Sequence, residues 1–280
     1  MRELPILATS GAKRTSWRVN DGQLVFDRAA VRRHRDRAAP LVDRVRPVLE
    51  EAAEHLLDRL DDTTNTFARA LDVGGRGVVA PILRRRGIDV VSCDLSPRMA
   101  AREGGPSVAA DEEFLPFAPG SFDLIVASLS LHWVNDLPGA LIQLRMALRP
   151  DGLLLASVPT LGTLDTLRTA LTEAEAALTG GASPRVSPFM ELRDGAALLQ
   201  RAGFTLPVAD SDSLELAYGD RLALLQELRA AGETNAVLLR SRQTAPRALF
   251  ALALAGMPEW DGRMPVTLRL AMLTGWAPAA

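Results

Sequence analysis

Three short apolar runs in the first half of the chain each end in an acid, and glycines crowd the first of them. Ala70-Leu71 leads into Asp72-Val73-Gly74-Gly75-Arg76-Gly77, Val90-Val91-Ser92-Cys93 into Asp94-Leu95, and Ser107-Val108-Ala109-Ala110 into Asp111-Glu112. A carboxylate that ends a strand about 20 residues beyond a glycine turn can accept two hydrogen bonds from a ribose diol. The glycines let the chain turn tightly and bring backbone N–H groups against a ligand. The helix that follows turns its positive end toward an anionic group. Asp72 would brace the loop by accepting backbone N–H groups rather than react. Asp94 is the natural ribose ligand, although an Asp before Ser96-Pro97 also suits a helix N-cap. Asp111 and Glu112 precede an apolar run, where capping is the ordinary alternative.

A dinucleotide site requires G-x-G-x-x-G, which Gly74-Gly75-x-Gly77 does not match. An acid before closely spaced glycines, a second acid for a ribose and a third for an adenine amine is the order of an S-adenosylmethionine (SAM) site. SAM is therefore the expected cofactor. Leu95 beside Asp94 and Ser128 at the end of the fourth strand fall at the same edge and complete the set. Ser128-Leu129-Ser130-Leu131-His132-Trp133 also follows that strand. His132 has the ring chemistry of a general base, and Trp133 could wall a pocket; plain packing under a cap is the alternative for both. Methyl transfer from a sulfonium is an in-line displacement, so positioning supplies most of the catalysis. Cys93, inside an apolar strand, reads as core, and the three histidines lack metal-ligand spacing, so no metal is expected.

These residues must be positioned by a sheet. Candidate strands are Ala68–Val73, Asp89–Asp94, Ser107–Ala110, Phe122–Ser128 and Gly152–Val158, with helices near Val79–Arg86 and Pro138–Leu148. Arg149-Pro150-Asp151-Gly152 reads as the turn between the last two elements. Apolar runs such as Leu124-Ile125-Val126-Ala127 indicate strands buried on both faces. The βαβ alternation predicts a doubly wound α/β sheet. Beyond it come helices over Leu164–Leu178 and Met190–Ala202, a strand over Phe204–Tyr218, an alanine-rich helical stretch over Asp220–Met257 and a last strand over Thr267–Trp276. The final two strands should pair antiparallel at the sheet edge, with a helical cap inserted at about residues 219–262. Residues 1–61 read as an N-terminal helical segment ahead of the main domain, 62–280, and the apolar stripe Val48, Leu49, Ala52, Ala53, Leu56, Leu57 and Leu60 should pack on the sheet. In this segment, Leu24–Leu60 has helical spacing that Pro40 and Pro47 should break. Arg32, Arg33, Arg35 and Arg37 crowd its first half, either as a cationic flap or, in the favoured reading, as a solvated face paired with Asp27 and Asp36.

The chain has 280 residues, a formal net charge of -2 and one cysteine, which exclude a disulfide framework and any overall pull toward nucleic acid. Lys13 is the only lysine. No apolar run is long enough to span a membrane. Met1–Asn20 lacks the apolar centre of a secretory signal and is weakly basic. The expected location is the cytoplasm of a bacterium, or the mitochondrial matrix in a eukaryote.

Phe26-Asp27-Arg28, Ala110-Asp111-Glu112-Glu113-Phe114-Leu115-Pro116-Phe117 and the long run from Phe122 through Ser128-Leu129-Ser130-Leu131-His132-Trp133-Val134-Asn135-Asp136 resemble the methyltransferase-fold assembly factors of respiratory complex I and their bacterial relatives. Ser187-Pro188-Phe189, Arg201-Ala202-Gly203-Phe204, Gly232-Glu233-Thr234-Asn235 and Thr274-Gly275-Trp276 extend the resemblance to the tail. A more distant similarity reaches the malonyl-acyl-carrier-protein methyltransferase of biotin synthesis. The resemblance implies a class I, Rossmann-like methyltransferase fold, with SAM on Asp72, Gly74, Gly75, Gly77, Asp94, Asp111 and Glu112. Two departures stand out. The glycine loop is one residue shorter than the family's, which changes the register of its N–H groups. Pro159-Thr160-Leu161 replaces a Phe-Gly-Gly turn on the substrate side. The leading expectation is a SAM-dependent methyltransferase acting on a small-molecule or protein acceptor. The alternatives are a SAM-binding protein that hydroxylates an arginine of a complex I subunit during assembly, and a non-catalytic assembly or binding protein whose shortened loop has lost the cofactor.

Overall fold

The computed structural model describes residues 24–279; the basic stretch Met1–Asn20 lies outside them. Asp27 caps α1 (Arg28–Ala38), its carboxylate accepting from the Ala30 N–H at 2.9 Å. A 3-10 turn over Val42–Val45 then leads into α2 (Arg46–Leu57). The span is split into two helices as expected, with Pro40 between them, but Pro47 lies inside the second one. It sits in the first turn of α2, where a missing N–H costs nothing because that N–H has no helical partner.

The alternation that follows is β1 (Arg69–Val73), α3 (Val79–Arg85), β2 (Asp89–Asp94), α4 (Pro97–Ala100), β3 (Ser107–Ala109), β4 (Phe122–Ser128), α5 (Leu137–Ala147) and β5 (Leu148–Pro159). Then come α6 (Asp165–Thr179), α7 (Asp194–Arg201), β6 (Thr205–Tyr218), α8 (Arg221–Ala231), α9 (Ala248–Gly256) and β7 (Met264–Trp276). The sheet order is β3-β2-β1-β4-β5-β7-β6. Pairing is parallel from β3 to β5, and β7 runs antiparallel to both β5 and β6. The expected antiparallel edge strand is β6, and α8 and α9 are inserted between it and β7.

Two local readings need correction. Arg149–Gly152 is not a separate turn but part of β5, absorbed as a register shift opposite Phe122 and Leu124, with Asp151 at φ +58°. The helix expected from Met190 begins four residues later. The Met190 carbonyl accepts from the Leu161 N–H at 3.0 Å, which keeps this part of the chain extended beside the end of β5.

Side chains of β4 and β5 alternate between two buried faces. On one face Leu124, Val126, Leu153 and Leu155 meet Leu49, Ala52, Ala53, Leu56 and Leu57 of α2. On the other, Ile125, Leu154 and Ala156 meet Leu141 and Leu144 of α5. Both faces are covered, so the strands read as unbroken apolar runs. A third cluster joins α6, α8 and α9 to β6 and β7. Strand order reverses between β1 and β4, which places a crevice at their carboxyl ends.

Because α2 supplies one whole wall of the core, Leu56→Ala should lower unfolding free energy by about 2–5 kcal/mol in urea titrations. The same change at exposed Leu239 should stay within about 0.5 kcal/mol.

Candidate cofactor site

At the end of β1, Asp72 is buried and its Oδ2 accepts from the Ala80 N–H at 3.1 Å, which ties the start of α3 to the strand. Gly75 lies directly against this carboxylate: a Cβ there would stand 2.1 Å from Oδ2, so no other residue fits. Gly74 and Gly77 both have positive φ, and so does Arg76 between them, at +53°. The Gly74 N–H donates to the Cys93 carbonyl at 2.7 Å, which fixes the loop to the end of β2.

Asp94 ends β2, and Glu112 follows β3. Both side chains are buried, and both face one cation, Arg35 of α1. Arg35 Nη1 donates to Asp94 Oδ2 at 3.1 Å and to Glu112 Oε1 at 3.0 Å, and Nη2 donates to the Ser130 carbonyl at 3.3 Å. All three charged side chains are 1% exposed. The second oxygen of Asp94 accepts from the Ser96 N–H at 2.7 Å, while Ser96, not Asp94, caps α4. Arg28, one turn pair earlier on the same face of α1, donates to Asp111 at 2.6 Å and to the other Glu112 oxygen. Burial raises the Asp94 carboxyl against the pull of Arg35. Burial also acts to raise Glu112, but Arg35 and Arg28 together outweigh it and hold that carboxyl below its ordinary value. Nothing short of a cation could leave two acids ionised this deep.

A second charged cluster centres on Glu233, just past α8. Its Oε2 lies 2.7 Å from His132 Nε2 and accepts from the Trp133 indole N–H at 2.6 Å, and its Oε1 accepts from Arg76. Burial would raise this carboxyl, but His132, Arg76 and Arg35 drive it well below the carboxylate range. With Nε2–H donated to Glu233, a neutral His132 ring keeps its lone pair on Nδ1, which has no hydrogen-bond partner among the described residues. Trp133 packs edge-on against Phe26 at 5.2 Å, and Asn135 accepts from the Val25 and Phe26 N–H groups, both at 2.8 Å. The run after β4 thus grips the start of α1. Arg76, His132, Trp133 and Glu233 also line a cavity of about 640 Å³ that extends under the cap.

Of the residues expected from sequence, Asp72, Gly74, Gly75, Asp94, Glu112 and Ser128 are buried at the carboxyl edge. Gly77 is buried in the loop, Leu95 packs on α1, and Asp111 is half-buried beside Arg28. His132 and Trp133 belong to the Glu233 cluster instead. The arginines of α1 divide: Arg32, Arg33 and Arg37 are exposed as the solvated-face reading has it, but Arg35 is not. Sequence reasoning missed Arg28, Arg35, Arg76 and Glu233. The first two were detectable: Arg28, Val31, Arg35 and Ala38 share one helical stripe, so two arginines lie on an otherwise apolar face.

The acids and glycines gather at one edge of the sheet, where Asp94, Asp111 and Glu112 bond to Arg35, Arg28 and the Ser96 N–H. A Cβ on Gly74 would meet Arg35 Nη1 at 3.3 Å and Ser130 Cβ at 2.7 Å. Asp94 and Glu112 have every carboxylate oxygen engaged. Arg35 thus occupies the space that the two acids and Gly74 face.

A family model described as a methyltransferase domain matches residues 43–207. The chain is 36% identical to the mitochondrial arginine-hydroxylase NDUFAF5 of Danio rerio, over 96% of this chain and 88% of that one. It is 35% identical to the malonyl-[acyl-carrier protein] O-methyltransferase of Laribacter hongkongensis, over 91% of each. Among solved structures, a SAM-dependent methyltransferase of Thermotoga maritima superimposes with a TM-score of 0.52 at 15% identity, over 88% of this chain and 99% of that one. That likeness concerns the fold alone.

Removing Arg35 leaves buried Asp94 without a cation, while Glu112 keeps Arg28, so Arg35→Met should cost about 3–5 kcal/mol at pH 7. Burial already raises Asp94 in the wild type against the pull of Arg35, and without that cation it rises further above its unfolded value, near 3.9. The stability of the variant is therefore best at low pH and falls as pH rises through the raised value. The wild type gains from the depressed Glu112 above about pH 4 and loses that gain on acidification. Urea titrations should find the deficit largest near pH 8 and narrower at pH 5.

Proposed function

Because this chain belongs to the methyltransferase-domain family, we propose that it is a class I SAM-dependent methyltransferase whose cofactor acids are covered by α1 until Arg35 is displaced. The observation that carries this reading is the convergence of Asp94 and Glu112 on a single cation beside Gly74. Two strand-end acids from separate strands face one space at the point where strand order reverses. Asp94 would take the ribose hydroxyls, Asp111 and Glu112 the adenine end, and Gly74, Gly75 and Gly77 the backbone contacts, with Leu95 and Ser128 alongside. When bound, SAM supplies a methyl group on a sulfonium sulfur. The chain supplies orientation and exclusion of water, and the His132 Nδ1 lone pair is available to an acceptor that must lose a proton. The acceptor is a small molecule or a protein, and the setting is the bacterial cytoplasm or, in a eukaryote, the mitochondrial matrix.

Two other readings each have one supporting observation. Identity of 36% to a protein named an arginine-hydroxylase favours hydroxylation of a complex I subunit during assembly. The engaged acids and the shortened loop favour a binding protein without catalysis.

Calorimetric titration with SAM and S-adenosylhomocysteine tests the first reading. The wild type should bind in the micromolar range, Asp94→Ala should bind at least about tenfold more weakly, and Arg35→Met, which removes the cation the two acids share, should bind more tightly than wild type. If neither wild type nor Arg35→Met takes up either compound, the methyltransferase reading fails and the binding-protein reading replaces it.

A further inference from the structure

The cavity under the cap is lined by none of the cofactor acids. Its walls are mostly aliphatic, with Val48 and Leu49 of α2, Leu167 and Leu171 of α6, Leu224 of α8 and Leu268 of β7, and with Trp133, Phe189, Tyr218 and Phe250 among them. Interiors normally pack at crystal density with few voids larger than a water molecule. At about 640 Å³ this cavity is the size of a small-molecule site rather than a packing fault.

The acids in its wall are already matched. Tyr218 donates its hydroxyl to Glu227 at 2.6 Å. Arg185 is paired with Glu175, and Glu233 is held by Arg76, His132 and Trp133. An occupant therefore finds apolar surface inside and no unmatched acid that would call for a cation. The opening differs. Arg37 of α1 and Arg229 of α8 both line the cavity, both are exposed, and neither makes an ion pair among the described residues. The two helices that carry them pack against each other. An apolar interior below two unmatched cations is complementary to a molecule with a long tail and an anionic head.

We infer that the cavity beneath the helical cap binds a single-chain anionic amphiphile, its aliphatic tail among the leucines and its head at Arg37 and Arg229. The inference goes beyond the transfer reaction proposed above and stands on different residues. Amphiphile binding and SAM binding can therefore fail separately.

Fluorescence titration of the full chain with cis-parinarate, without SAM, tests it. The emission of this polyene acid rises on entering an apolar site. Saturable one-to-one binding is expected, with displacement by dodecanoate. Dodecyltrimethylammonium, of equal tail length and opposite charge, should displace it at least about tenfold more weakly, as should butyrate, which lacks the tail. The double variant Arg37→Glu/Arg229→Glu changes only exposed groups, so its fold should be retained, and it should lose about tenfold or more in dodecanoate affinity. Leu171→Trp, checked for folding by circular dichroism, should reduce binding by filling the space. Absence of saturable binding by the native chain overturns the inference. So does displacement by the ammonium as effective as that by dodecanoate, or unchanged affinity in the charge-reversed variant.

Discussion

One guanidinium group, that of Arg35, joins parts of the molecule that are distant in sequence. It bonds to the end of β2, to the turn after β3 and to the carbonyl of Ser130 after β4, all from a helix that precedes the sheet. A cation and two carboxylates with almost no solvent contact hold together only as a set, because removing any member leaves a charge without compensation in a medium of low dielectric. The position of α1 is thereby fixed, and so is the cover over Gly74. Asn135 and Trp133 bind the residues just before the helix, and Asp27 receives Arg240 at 2.8 Å. The first described helix is thus as much a part of the carboxyl edge as the loops that follow the strands.

The loop after β1 takes its altered character from the same environment. It places Arg76 at positive φ in a buried position, with its guanidinium on the Leu129 carbonyl and on Glu233. A long cationic side chain therefore stands between the cofactor edge and the cap cavity. Glu233 neutralises it and at the same time orients His132 and Trp133. The two regions share this wall, and their electrostatics are coupled through it.

The parallel part of the fold was legible because burial on both faces writes unbroken apolar strands, and strand-end acids interrupt them abruptly. Asp72, Asp94 and Glu112 were found that way. Arg35 was not, because a cluster of arginines on a helix normally means solvent, and only the shared stripe of Arg28, Val31, Arg35 and Ala38 hints otherwise. Glu233 was hidden for a different reason: its partners lie about a hundred residues or more away, and no local pattern encodes that distance. The span read as a turn at Arg149–Gly152 was misjudged because a bulge inside a strand uses the same residues as a free turn. Pro47 was read as a breaker where it is an opener, an ambiguity that proline carries at every helix start.

The place of β7 in the sheet has a consequence for biosynthesis. This strand lies between β5 and β6, yet it is the last element of the chain. Until Met264–Trp276 leaves the ribosome, β5 has an open edge and the 14 residues of β6 have no neighbour with which to pair. The cap helices emerge before the strand that anchors them. Before it emerges, the nascent protein carries two unsatisfied strand edges and an unsupported apolar layer, the situation in which chains most depend on chaperones. A chain cut before Met264 would be an adhesive fragment, because the strand that pairs with both edges would be lost with the cut.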